Sequence, residues 1–425
     1  MMTRLPYGPG YLPVTVPDEN LAGIFCPLQT QRELPGEAEL IIAALQNPYG
    51  GPRLAELAAS ARRITVISSD HTRPLPSKVT LPPLLAEIRA GNPQAEVTIL
   101  IATGLHRPTT PAELTARYGK DLVQREHFVV HNAFNTDELV YLGGLPSGAP
   151  LWVNRLLAET DLLVAEGFIE PHFFAGFSGG PKSVLPGVAG EKSVLANHST
   201  ALMAHPRART GNITDNPIHQ DIRAAARLAG LRFILNVVTG SDHRVTAAFA
   251  GSVAEAHAAG CRLVEKQARI ELEPADIVIT SNGGYPLDQN LYQAVKSMSA
   301  GEAATKPGGT IIIAAECRDG LGGEGFYSQM ASALNPRSLL AQIQGTPMLE
   351  TLPDQWQVQV LARILAERQV IVVTEGVERE LLEEMYLTWA PDLDTALRLA
   401  FEQHGAGAKV AVIPDGVQVI VHPQH

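Results

Sequence analysis

The feature that most constrains this chain is a series of short, unbroken Val/Ile/Leu runs at 63–68, 97–103, 161–165, 233–238, 276–280, 310–314, 369–373 and 409–413. Runs without a polar residue at alternate positions mark strands buried on both faces, and such strands belong to parallel sheets covered by helices. Helical patterning fills the intervals, most clearly at 216–229, 252–267, 290–300 and 355–366. The alternation predicts an α/β fold with mostly parallel, doubly wound sheets. A length of 425 residues suits two such domains. The charged, Ala-rich stretch at 254–273 lies between the fourth and fifth runs with no Pro/Gly/Ser linker. It reads as a helical bridge, giving one domain at 1–270 and a second at 271–425.

Composition removes several function classes. Hydrophobic residues at 45% and charged residues at 18% are ordinary globular usage, which excludes a disordered chain, a coiled coil and a collagen-like rod. The net charge of −11, from 33 basic and 44 acidic residues, comes without any Lys/Arg run and argues against a nucleic-acid binder. An anionic substrate would therefore need a local basic pocket. No window approaches the roughly 18 apolar residues of a membrane helix, and the opening MMTRLPYGPG has no apolar signal core. Cys26, Cys261 and Cys317 are far apart and form no C-x-x-C pair, which fits a reducing compartment, the cytoplasm by default.

Nearly every apolar run ends in a polar or Gly-containing turn, and ligands of open parallel sheets bind outside the carboxyl ends of the strands. The first turn holds Asp70 and Arg73; a guanidinium fork there matches a carboxylate, while a loop ion pair with Asp70 is the plain alternative. The second places His106 in a Gly-flanked turn, where an imidazole of ordinary pKa near 6.5 suits proton exchange; a capping or exposed role is the alternative. The third, residues 170–183, resembles a phosphate loop, but Pro181 stands where a glycine N–H is required. What remains is Lys182 on a Gly/Pro loop walled by Phe173, Phe174 and Phe177, an environment that lowers an amine pKa and makes it nucleophilic. A surface lysine closing a turn is the alternative.

Further along, His198 could ligate a metal, yet no HExxH, no HxH and no nearby Cys accompanies it, so any metal would need donors from a cofactor. His205, His219 and His243 read as surface or capping residues. In the second half, Gln289, Tyr292, Gln293 and Lys296 share one helical face by their spacing of three and four, an ordinary solvated face unless it closes on a ligand. Trp356 sits near a helix start, where a core role is the plain expectation.

Taken in order, DHTRP, ATGLHRP, EPHFFAGFSGGPKSVLPG, NHST, DQNLYQAVK and DQWQVQ resemble the lactate racemase family, whose enzymes use a nickel-pincer nucleotide derived from nicotinic acid. The resemblance spans most of the chain, and its third motif is long and specific. It implies two α/β domains with the active site in the cleft between them. It makes Lys182 the covalent anchor of pyridinium-3,5-bisthiocarboxylic acid mononucleotide, with Asp70, Gly179, Gly180 and Trp356 lining cofactor and pocket. His198 becomes the nickel ligand, His106 and His172 the paired acid/base residues, and Arg73 the partner of the substrate carboxylate. Gln293 and Lys296 become contacts from the second domain. The implied partners are a small 2-hydroxy acid and the cofactor-synthesis enzymes.

The chemistry accounts for such a set. A hydrogen alpha to a carboxylate and a hydroxyl is poorly acidic, whereas hydride departure with loss of the hydroxyl proton to a histidine gives a planar 2-keto acid and no carbanion. Malate-like, aromatic and sugar-derived 2-hydroxy acids are alternatives to lactate as substrate. An ATP-dependent enzyme using the Lys182 loop and a non-catalytic cofactor carrier are the readings from other classes; Pro181 opposes the first, and the intact His106 and His172 oppose the second.

Overall fold

The computed structural model describes residues 1–28, 35–240, 242 and 244–424; His243 lies outside the described residues. Two six-stranded sheets organise the chain. The first runs Val245–Gly251, Leu231–Thr239, Leu162–Phe168, Arg63–Ser69, Glu96–Ala102 and His127–Val130, and all its pairings are parallel except that of the Val245–Gly251 edge strand. The second runs Thr388–Ala390, Gln369–Val373, Thr305–Ala314, Ala275–Ser281, Val410–Ile413 and Leu21–Ile24, parallel throughout. The α/β architecture expected from the apolar runs is therefore present. Leu162–Phe168 is buried at every position, as a strand with helices on both faces must be.

Helices form where an apolar stripe meets a capping signal. Pro217–Leu228 begins at Asn216, whose side-chain oxygen accepts from the N–H groups of Ile218 (3.1 Å) and His219 (3.3 Å), and Pro217 presets the first turn. Leu291–Ala304 is capped in the same way by Asn290, which accepts from the Gln293 N–H at 3.0 Å. These two caps fix where the helices leave the loops at the carboxyl ends of the strands.

The bridge expected at 254–273 is a helix only to Ala268. Arg269–Leu272 is a strand that pairs in parallel with Ile420–Pro423. The sheets are also not parted by one cut near 270. Met2–Tyr7 and Gly10–Thr15 form an antiparallel ribbon whose Leu5 and Val14 share a core with Ile277, Ile279 and Ile312, and Leu21–Ile24 lies beside Val410–Ile413. We propose a second unit that draws on residues 1–24 as well as on the stretch after 270.

Asn20 pins this return. Its side-chain amide donates to the carbonyls of Ala406 (2.7 Å) and Ala408 (2.9 Å), and its own carbonyl accepts from the Val410 N–H (2.8 Å). Asn20→Ala leaves two carbonyls without their donor and will cost about 1–3 kcal/mol. Urea unfolding will show it as a lower midpoint at unchanged slope; an unchanged midpoint would contradict the pinning role.

Candidate active site

Arg63–Ser69, Glu96–Ala102 and Leu162–Phe168 bring three turns to the carboxyl edge of the first sheet. Asp70 follows the first strand and is almost fully buried. Its Oδ2 lies 2.7 Å from Nδ1 of His106, and its Oδ1 accepts from the Thr72 hydroxyl at 2.7 Å. Burial alone would raise the Asp70 carboxyl, but the hydrogen bond and charge of His106, the Arg73 guanidinium and Thr72 hold it well below the usual carboxylate range. An ionised Asp70 takes the Nδ1 proton of His106 as donor and leaves Nε2 with its lone pair. The loop ion pair of Asp70 with Arg73, the plain alternative from the sequence, is thus not formed; Asp70 makes an imidazole–carboxylate pair instead. The turn is tied to the Lys182 loop by the Gly104 N–H, which donates to the Gly187 carbonyl at 2.9 Å.

Arg73 is half-buried, and its carbonyl accepts from Arg117 at 2.6 Å. Among the described residues its guanidinium makes no hydrogen bond or ion pair, so the fork is free for an anionic group. His172 sits on a short hairpin, Pro171–His172 against Gly176–Phe177. Its ring stacks on Phe173 (5.1 Å between centroids) and meets the edge of Phe174 (4.5 Å), while the Ala175 N–H reaches its Nδ1 at 3.3 Å. Burial, then the charges of Lys182, Lys296 and Arg73, push the His172 pKa well below the ordinary value, so the ring is neutral.

Lys182 lies in the 3₁₀ turn Gly180–Ser183, reached through Gly179 and Gly180 at φ +72° and +51°, the left-handed region that favours glycine. Its Nζ stands 5.8 Å from the centroid of Phe174. Burial and the nearby charges of Arg73 and Lys296 lower its pKa far below that of a free lysine, against the opposing pull of Glu170. The direction matches the expectation from the sequence, but the two cations share the cause with the aromatic wall. Phe177 belongs to the buried core beneath the loop.

His198 closes the helix Glu191–Asn197 and is buried, its Nδ1–H donating to the Val194 carbonyl one turn back at 2.8 Å. The ring is bracketed edge-on by Phe174 and by Trp356, each 5.0 Å away. Burial and Lys182 lower its pKa to about 4, so Nε2 carries a lone pair. Trp356 thereby joins the site instead of serving only as core; it opens Gln355–Glu367, the helix that also touches the first half through the Gln359 amide on the Thr200 carbonyl (3.1 Å).

From the second half, Leu291–Ala304 carries Gln293 and, a turn later, Lys296. Burial and Arg73 lower Lys296 to about 8, with Glu170 opposing. Lys296, Glu170, His172, Phe173, Thr210 and Gly416 line one small cavity of about 20 Å³, room for a single water. A larger hollow of about 580 Å³ lies elsewhere, between Val16, Asp18, Leu397 and Phe401; it is an open trough without the paired bases and amines of the cleft.

All eleven singled-out residues stand on the loops and helix ends described above. Glu170 was not given a role by the sequence reading; its burial raises its pKa while Lys296, Arg73 and Lys182 lower it, which makes it the carboxylate that faces the cations. The signal available was its position directly after a strand end, next to Pro171 and His172. His205 is a capping residue, taking the Arg207 N–H on its Nδ1 at 3.2 Å. His219, by contrast, is buried, because its helix packs its first turn beneath the Lys182 loop.

Residues 7–211 match the model of the lactate racemase N-terminal domain, and residues 270–421 that of the lactate racemase C-terminal domain. The lactate racemase of Thermoanaerobacterium thermosaccharolyticum is 52% identical over 419 residues, 98% of both chains. That of Lactiplantibacillus plantarum is 47% identical over 418 residues, 98% of this chain and 99% of the relative. The solved lactate racemase apoprotein of T. thermosaccharolyticum superposes with a TM-score of 0.96 at 51% identity, covering 99% of this chain and all of that one. A Thermotoga maritima protein at 19% identity and TM-score 0.65, covering 91% of this chain and 97% of its own, shares the fold alone. With both halves matched and about half of all positions identical over nearly the whole length, the chain belongs to the lactate racemase family.

Proposed function

We propose that this enzyme, an isomerase by its family, racemises lactate or a closely related short 2-hydroxy acid with the help of a nickel-pincer nucleotide held by Lys182 and His198. The observation that carries the reading is one cleft holding two neutral imidazoles, an amine pushed well below the usual lysine range and a guanidinium fork without a hydrogen-bond partner among the described residues.

The residues fit such a group. His198 has one nitrogen committed to the Val194 carbonyl and, among the described residues, no hydrogen bond on the other, the way a metal-ligating histidine is oriented. Among the described residues no three His, Cys, Asp or Glu side chains could hold a metal together, so a metal on His198 needs donors that arrive with the cofactor. The Lys182 side chain has no hydrogen bond or ion pair among the described residues and a depressed pKa, the state of an amine able to form a covalent link. Gly179 and Gly180, where a Cβ would collide with the Phe168 carbonyl and the His257 ring, let the loop that carries Lys182 pack closely on the protein beneath it. When bound, the nucleotide supplies a reversible acceptor for the alpha hydrogen as hydride.

The remaining work falls to the protein. Arg73 holds the substrate carboxylate by two parallel N–H donors, and Lys296 and Gln293 reach it from the second half. Nε2 of His106 takes the hydroxyl proton, and Asp70 stabilises the imidazolium that forms. His172 serves the opposite enantiomer. Once protonated it sits buried beside the charges of Lys296 and Arg73 and is a strong acid, suited to returning a proton; the long Ala175 contact on its Nδ1 is the one that yields when it does. Phe173, Phe174 and Trp356 wall the cleft against water. Cofactor-synthesis enzymes must load Lys182, and the free thiols of Cys26, Cys261 and Cys317 support the cytoplasm as the place where this happens. No helix among the described residues is long and apolar enough to cross a membrane.

Three outcomes test this. Protein made together with the cofactor-synthesis enzymes will carry added mass on the peptide containing Lys182, and Lys182→Ala will remove both the mass and the activity; full activity without added mass would refute the anchor. His106→Ala and His172→Ala will each lower racemisation about 10²–10⁴-fold in both directions. Acid-quenched single turnovers will still yield 2-keto acid from one enantiomer in each variant, and from opposite enantiomers in the two; equal loss for both enantiomers would mean that the histidines do not flank the substrate. Finally, Lys296 loses its charge as pH rises through its value of about 8, so kcat/KM will fall on that limb. Lys296→Arg will move the fall to higher pH, and an unmoved limb would assign it to another group.

A further inference from the structure

Two buried histidines lie under the Lys182 loop with no role in the reading above. His257, in the helix Val253–Ala268, places its Nε2 2.9 Å from the Ser178 carbonyl, which can only accept, so Nε2 bears the proton. Its Nδ1 is free to accept from the Cys261 thiol one turn on, at 3.7 Å. His219 lies nearly parallel to it at 6.0 Å and interacts with the Ala175 carbonyl. Burial first, and for His219 also the neighbouring His257, lowers the two rings to about 4 and about 3, so both are neutral.

We propose that His257, backed by His219, is a positioning residue whose ring N–H holds Ser178 and whose ring face sets the height of Gly180, fixing the loop that aims Lys182 into the cleft. The fit is close: a Cβ on Gly180 would come within 2.5–3.0 Å of the His257 ring. From above, the Gly180 N–H is held by Asn236 Oδ1 at 2.7 Å, and the Lys182 N–H by the Gly179 carbonyl at 3.1 Å. Ser178 itself closes on Glu170, through its N–H on the Glu170 carbonyl and its hydroxyl on the Glu170 N–H, both at 2.9 Å. One ring N–H therefore anchors the segment between Glu170, His172 and Lys182. The importance of this aim rests on the reading of Lys182 as the anchor; the geometry does not.

The test uses the apoprotein and needs no turnover. Competitive acetylation with acetic anhydride near pH 7.5, read by peptide mass, gives the reactivity of Lys182 relative to the exposed Lys78. His257→Leu lets the loop relax out of the dry cleft, and the Lys182/Lys78 ratio will fall about fivefold, the worth of one hydrogen bond. His257→Gln keeps a donor for Ser178 and will stay within about twofold of the parent. Gly180→Ala, which leaves the histidine in place and forces the loop off its face, will repeat the loss and serves where the Leu variant does not fold. A parent-like ratio in the Leu and Ala variants, or a Gln variant as low as Leu, overturns the proposal. Should the ratio behave as expected while loaded enzyme shows no mass on Lys182, the anchor reading fails and the positioning role stands.

Discussion

Three basic side chains, Arg73, Lys182 and Lys296, are driven into one dry cleft, where burial first and the neighbouring positive charges second set the protonation of the groups around them. Each would be cheaper in water. Between the two sheets and their loops, burial and the charges of Arg73 and Lys296 pull Lys182 well below a free lysine, and burial above all keeps His172 and His198 neutral. Glu170 faces all three, while Asp70 feels Arg73 but spends its hydrogen bonds on His106 and Thr72. The cleft is thus electrostatically incomplete without an anion. On the proposed reading, an alpha-hydroxy carboxylate brings one carboxylate to the guanidinium fork that has no hydrogen-bond partner among the described residues, so the same burial that prepares the amine and the imidazoles would favour that substrate class.

Much of this architecture was legible because it rests on strands buried on both faces. Runs such as 369–373 announce themselves, and Gln369–Val373 is the strand found. The N-terminal strands were not announced. Met2–Tyr7 has a proline and an arginine within six residues and buries only Leu5 fully, so it carries no run to detect. Nor does sequence show that residues 21–24 lie at the edge of a sheet whose other members follow 270.

At the site, position was easier to read than partnership. His106, His172, Lys182 and His198 stood out as reactive side chains in Gly- and Pro-rich turns at strand ends. That Asp70 turns to His106 and not to Arg73 depends on two turns from neighbouring strands meeting, a tertiary fact. His219 was misread for a related reason: its place in a capped first turn says that its backbone is near an end, while the fate of its ring is decided by the loop laid over it. Glu170 carried a charge beside a strand end but no motif of its own, and its meaning came only with the cations it faces.

The edge strand Leu21–Ile24 has a consequence for how the molecule is made. During synthesis it is made long before its neighbour Val410–Ile413; Asn20 and Ala408, which pin the two, are 388 positions apart. The first sheet, with strands from 63 to 251, is complete long before that. Until then the leading segment waits with an open edge, and closing the second sheet is one long-range event of high loop-closure cost. The helices that bring Lys296 and Trp356 to the cleft belong to that late-closing half. A growing chain therefore holds the histidine and lysine turns early but the assembled cleft only once Val410–Ile413 is in place, so folding of the first sheet alone does not complete the cleft.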